Sequence, residues 1–119
     1  MSQAKVIREE IKEAEATFSA LYVEMKNGCL VFLSEGDDRL GTLAVSIPQR
    51  GRLLGPPLSS ILFGDRNTTV ARLIAERLAN LSKKLTLVSV YIETMEEGKA
   101  GRTLLKLIEE VMRKGETKQ

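Results

Sequence analysis

An α+β domain, an antiparallel sheet with two helices packed on it, is what this chain predicts, and three observations carry the prediction. Residues 67–81 are its clearest periodic stretch. Val70, Leu73, Ile74, Leu78 and Leu81 recur at helical three-and-four spacing, while Arg72, Glu76, Arg77 and Lys83 fall mostly elsewhere on the cylinder. Three β-rich runs, at 18–25, 29–33 and 40–47, follow one another through polar turns. A further β run at 85–94 separates the periodic stretch from a second helix, striped by Leu104, Leu107, Ile108, Val111 and Met112. Burying the five large side chains of the first helix would contribute roughly 1.5–3 kcal/mol each before entropy. Such a helix needs a sheet or a partner to cover.

Taken in order, residues 5–17 are ambiguous. Ile7, Ile11, Ala14 and Phe18 fit a helical period, and the alanines and glutamates agree by propensity; as a strand the segment alternates poorly. Periodicity therefore favours a helix. Phe18-Ser-Ala-Leu-Tyr-Val-Glu-Met25 and Cys29-Leu-Val-Phe-Leu33 are joined by Lys26-Asn27-Gly28. Asn-Gly between two such runs predicts a type I′ hairpin, whose central residues need positive φ. Glu35-Gly36-Asp37-Asp38 is a second turn. Leu40-Gly-Thr-Leu-Ala-Val-Ser-Ile47 then closes a meander of adjacent antiparallel strands, ended by Pro48.

Residues 49–60 read as a loop of about a dozen residues, long enough in a compact domain to be functional or mobile. Asp65, Asn67 and Thr68 are competent N-caps for the first helix, with Gly64 before them. Ala71, Ala75 and Ala79 form a low ridge suited to close packing on a sheet. In the 85–94 run, Leu85, Leu87, Ser89 and Tyr91 take one face and Thr86, Val88, Val90 and Ile92 the other, as in a central strand covered on both sides. Thr94 and Glu97 resemble a capping box for the last helix, which Gly115 should stop.

Composition narrows the function classes. The 119 residues suit one domain, 1–119, with 43% apolar and 29% charged residues, so disorder and membrane spanning both fit poorly. Met1 to Glu15 has no apolar core of a signal peptide and is rich in acids, which predicts a cytoplasmic protein. A net charge of +2 and 4% aromatics argue against a nucleic-acid partner.

The side chains of catalysis are scarce. There is no histidine, which removes imidazole metal sites and the Ser-His and Cys-His pairs. The single Cys29 makes neither an internal disulfide nor a thiolate zinc site, and reads as a small buried hydrophobe. Asp37 and Asp38 sit in a turn, where Asp bonds its own backbone. Gly51-Arg-Leu-Leu-Gly55 has the glycines of a phosphate loop without its Lys-Ser/Thr. No enzyme, metal or cofactor is expected.

Four stretches in series carry a resemblance: Leu40-Gly-Thr-Leu-Ala-Val-Ser46, Ile61-Leu-Phe-Gly-Asp65, Thr69-Val-Ala-Arg-Leu-Ile-Ala-Glu-Arg-Leu-Ala79 and Leu87-Val-Ser-Val-Tyr91, followed by a closing helix. Their order and spacing resemble the small proteasome assembly chaperones of eukaryotes, the third and fourth of that set, over roughly residues 18–112. The resemblance implies a single domain that pairs with a like subunit and binds α-type subunits of the 20S proteasome during α-ring assembly, without catalysis. It turns residues 5–11 into a strand beside 18–25. In a source with one kind of α subunit, as in archaea, a homodimer would replace the eukaryotic heterodimer. The 49–60 loop, with Arg50, Arg52, Leu53 and Leu54, is the partner-binding candidate because of its length and its arginines. A dimeric scaffold of the roadblock or longin kind, serving a GTPase or trafficking complex, is the alternative. A sheet of this size with few aromatics also predicts a dimer in its own right, through an apolar face or edge left uncovered.

Overall fold

The computed structural model describes residues 3–13, 15–48 and 58–117. Six strands and two helices follow in the order β1 (Lys5–Glu13), β2 (Ala16–Glu24), β3 (Gly28–Glu35), β4 (Thr42–Ile47), β5 (Leu58–Phe63), α1 (Thr68–Ser82), β6 (Leu85–Tyr91) and α2 (Glu97–Thr117). The sheet order is β1-β2-β3-β6-β4-β5. All neighbours are antiparallel except β3 and β6, which run parallel. The fold class is the predicted α+β, but the meander is not. β6 inserts between β3 and β4, so the 40–47 run never pairs with the strand before it. No local signal encodes that crossover.

Both helices lie on one face. α1 packs on β4, β5 and β6, and α2 on β1 and β2. The core between them gathers Phe18, Tyr22, Val31, Leu33, Val88 and Val90 from the sheet with Ile74, Leu78, Leu104 and Ile108 from the helices. The Cα atoms span 42 × 31 × 20 Å, a depth of one sheet and one helix layer. Among the described residues no helix is long and apolar enough to cross a membrane.

Residues 5–13 are a strand, so the helical reading of them is corrected. Ile7 and Ile11 face the core opposite Tyr22 and Phe18, and Glu9 and Glu13 share their side. Those two acids pair with Lys114 and Lys106 of α2, with Glu13 to Lys106 at 3.8 Å. An ionic seam replaces half of the apolar alternation, which is why the segment looked unlike a strand. β5 is a second correction: residues 58–60 belong to a strand with 61–63, not to a loop.

On α1 the buried residues are Val70, Ala71, Ile74, Ala75, Leu78 and Ala79, while Leu73, 58% exposed, and Leu81 lie outside. The alanine ridge is the packed side. Opposite it, β4 buries only Thr42, Ala44 and Ser46, so small residues on both surfaces let helix and strand approach. Asn67 occupies the N-cap in a left-handed conformation with no side-chain bond to the helix. Glu97 of α2 instead accepts the Val70 N–H at 3.1 Å, so it caps α1 and forms no box with Thr94. α2 runs through Gly115 to Thr117, past the predicted stop.

The β2–β3 hairpin forms, closed by Met25 N–H donating to the Gly28 carbonyl at 2.8 Å. It is not type I′, since positive φ among the described residues occurs only at Glu15, Gly36, Gly64, Asn67 and Lys83. Gly28 serves close approach instead: a Cβ there would meet the Leu85 carbonyl at 3.1 Å. At the far end of β3, the buried Glu35 carboxylate accepts the N–H groups of Glu93 and Thr94 at 2.8 and 3.0 Å and the Thr94 hydroxyl. It fixes the turn from β6 into α2.

Candidate partner-binding face

Strand alternation decides what the other side of the sheet presents. With Phe18, Ala20 and Tyr22 toward the helices, β2 turns Ser19, Leu21 and Val23 away. β3 turns Leu30, Phe32 and Ser34, and β6 turns Leu85, Leu87, Ser89 and Tyr91. β4 contributes Leu43, Val45 and Ile47. Register then aligns these into rows across the strands. One row reads Val6, Val23, Leu30, Leu87, Val45, Ser60, and the next reads Arg8, Leu21, Phe32, Ser89, Leu43, Phe63. A third, shorter row pairs Ile47 with Leu58, and Leu85 starts β6 just past the end of its ladder with β4.

Except at Ser89, which is buried and accepts the Gly41 N–H at 2.8 Å, nothing among the described residues covers these rows. Leu21, Val23, Leu30, Phe32, Leu43, Val45 and Leu87 are half-buried only by one another, whereas the helix-side residues of the same strands are fully buried. Five interstrand spacings of ~4.8 Å make the face roughly 24 Å wide. A contiguous apolar surface of that order on a small domain marks an interaction site. β6 is central, as predicted, but among the described residues only one of its faces is covered by helices.

A polar row closes one end. Glu10, Ser19, Ser34 and Tyr91 succeed the apolar rows, and the β3–β4 connection folds against them. Asp38 accepts from Arg8 at 2.6 Å and from the Ser19 hydroxyl at 3.0 Å. The Arg8 bond holds the Asp38 carboxyl below the usual carboxylate range, against a smaller opposing effect of burial. Arg39 lies over the Tyr91 ring at 5.1 Å, donates to its hydroxyl at 3.1 Å, and stands 3.7 Å from Glu93. The rim thus carries both signs of charge. Arg8 and Asp38 are nearly half exposed, so Arg8→Ala should change unfolding free energy by only about 0–1 kcal/mol in a urea titration.

Arg50, Arg52, Leu53 and Leu54 lie outside the described residues, as does most of the loop that holds them. The sequence predicts an apolar face or edge left uncovered without assigning its residues, although bulky residues at 43, 45 and 47 beside small ones at 42, 44 and 46 are their signal. Cys29 is buried, as read, and its sulfur lies 3.3 Å from the Thr86 hydroxyl. Two cavities among the described residues are small, about 210 Å³ beside Gly41 and Asn67 and about 270 Å³ beside Lys26 and Lys84. No three Cys, Asp or Glu side chains among those residues cluster as metal ligands would.

Comparison with known proteins bears on the family and the fold. Residues 18–92 match the family model described as proteasome assembly chaperone 4, a span from β2 to the end of β6. The structure is similar to a chain in the crystal structure of a chaperone complex for yeast 20S proteasome assembly, with a TM-score of 0.68 and 13% identity over 96% of both chains. At that identity the likeness is one of fold. No curated protein matches the sequence. The roadblock or longin alternative gains no support from these matches.

Proposed function

The chain belongs to the proteasome assembly chaperone 4 family, and we propose that it acts in the cytoplasm as a non-catalytic chaperone for 20S proteasome assembly. In this reading it binds α-type subunits while their ring forms. It does so paired with a like subunit, a second copy or a close relative, laid against the open sheet face. The observation that carries the pairing is the uncovered apolar rows centred on Leu30, Phe32, Leu87 and Val45. Two such faces stacked ~10 Å apart make a sandwich, the usual way a one-sided sheet completes its core. The mixed-sign rim suits a two-fold copy, since each acid can find a base across the axis.

Catalysis is not needed for this role. A chain without histidine lacks the commonest proton shuttle at neutral pH, and binding energy is what an assembly factor supplies. The test is a mixing experiment with purified α-type subunits, read by size-exclusion chromatography and light scattering. A stoichiometric complex is expected, with faster appearance of α rings. Separate elution at tens of micromolar, with unchanged ring formation, overturns the reading.

A further inference from the structure

The two edges of the sheet are not alike. β1 carries Lys5, Arg8, Glu9, Glu10, Lys12 and Glu13, the usual guard against a foreign strand. β5, Leu58-Ser-Ser-Ile-Leu-Phe63, carries neither charge nor proline. Among the described residues it pairs with β4 on one side only, so alternate N–H and C=O groups along it point away from the sheet. Leu58 is 72% exposed, Leu62 55%, and neighbouring Ile47 61%. The bulge that leaves Leu62 unmatched confines regular pairing to residues 58–61.

We propose that the β5 edge accepts an extended segment of an α-type proteasome subunit as an added strand, with apolar side chains at alternate positions over Leu58 and an acidic one toward Arg72. This rests on the chaperone reading above and names the surface that reading leaves open. A second copy is a poor occupant. With another copy already on the open face, edge pairing would build a tetramer or a filament instead of a closed dimer. A strand this short also buries too little to hold a partner by itself, so its occupant belongs to a protein gripped elsewhere too. Charge points the same way. Neither Arg66 nor Arg72 has an ion-pair partner among the described residues. Among the described residues Arg72 donates only to the Ser59 hydroxyl, at 3.1 Å, while Glu76 is engaged by that same serine.

Hydrogen exchange of the full chain, alone and with purified α-type subunits, tests this. Alternate amides within residues 58–63 should exchange fast in the free protein and slow by about tenfold or more in the complex, a change that side-chain contact alone does not produce. Ser59→Pro and Ser60→Pro remove donors that point to opposite sides of the strand. The variant that loses the outward donor should fold, keep its dimeric mass, and lose about tenfold in α-subunit affinity. Binding with no slowing at β5 overturns the edge assignment and leaves the chaperone reading standing. Failure of α subunits to bind at all removes both.

Discussion

Phe32→Asp is expected to convert the protein from a two-chain particle to a folded single chain of 13.2 kDa in light scattering at micromolar concentration. Phe32 sits mid-face, between Leu21 on β2 and Ser89 on β6, in the row next to Leu30 and Leu87. Its side chain points away from both helices, so the core of the single chain does not need it. In the pair, a carboxylate there would be buried without a partner. Leaving a charge unpaired in an interface costs about 3–5 kcal/mol, which is roughly two to four decades in dissociation constant. Far-UV circular dichroism should be unchanged. Arg8→Ala, at the rim, should leave the mass at two chains. A wild-type mass of one chain, or a Phe32→Asp mass equal to wild type, sinks the face as the pairing surface.

How much of this was legible in the sequence follows from where each signal is stored. α1 announced itself because its apolar period is local, and β2, β3 and β6 because apolar runs and turns bound them. β1 was hidden because its core side alternates Ile7, Glu9, Ile11 and Glu13, and the acids are satisfied by lysines a hundred residues away on α2. β5 was hidden because Ser59 and Ser60 read as loop; Ser59 is held by Arg72 and Glu76, which only the packed α1 supplies. The parallel β3–β6 pair is a property of topology, absent from any window of sequence. The partner face was half visible. Apolar residues on both sides of residues 85–92 predict a strand covered twice, and no second cover is found among the described residues. The arginine loop lies outside the described residues, whereas the reversed alternation of β4, whose bulky residues look away from α1, is a local signal of the open face.

Removing the carboxylate of Glu35 should damage the fold as much as truncating a large residue of the core. Its oxygens accept two backbone N–H groups and one hydroxyl from the turn after β6, all from residues that no regular ladder serves. Glu35→Ala strands those donors and empties their site, at a cost of about 3–5 kcal/mol in urea unfolding at pH 7. Glu35→Gln, which keeps one carbonyl oxygen, should cost about half as much. The pH dependence identifies the charge as the cause. Burial raises the Glu35 carboxyl pKa, but the bonds from Thr94, Glu93 and Met95 outweigh it, and the group lies below its ordinary 4.5. A carboxyl depressed in the folded state binds protons less readily than in the unfolded chain. Its contribution is therefore whole above about pH 4.5 and fades as the pH falls below that value. The gap between wild type and Glu35→Gln should be widest at pH 6–7 and shrink toward pH 3. A gap that stays constant over that range would mean the side chain acts by shape alone, and the charged bracket between β3 and α2 would have to be given up.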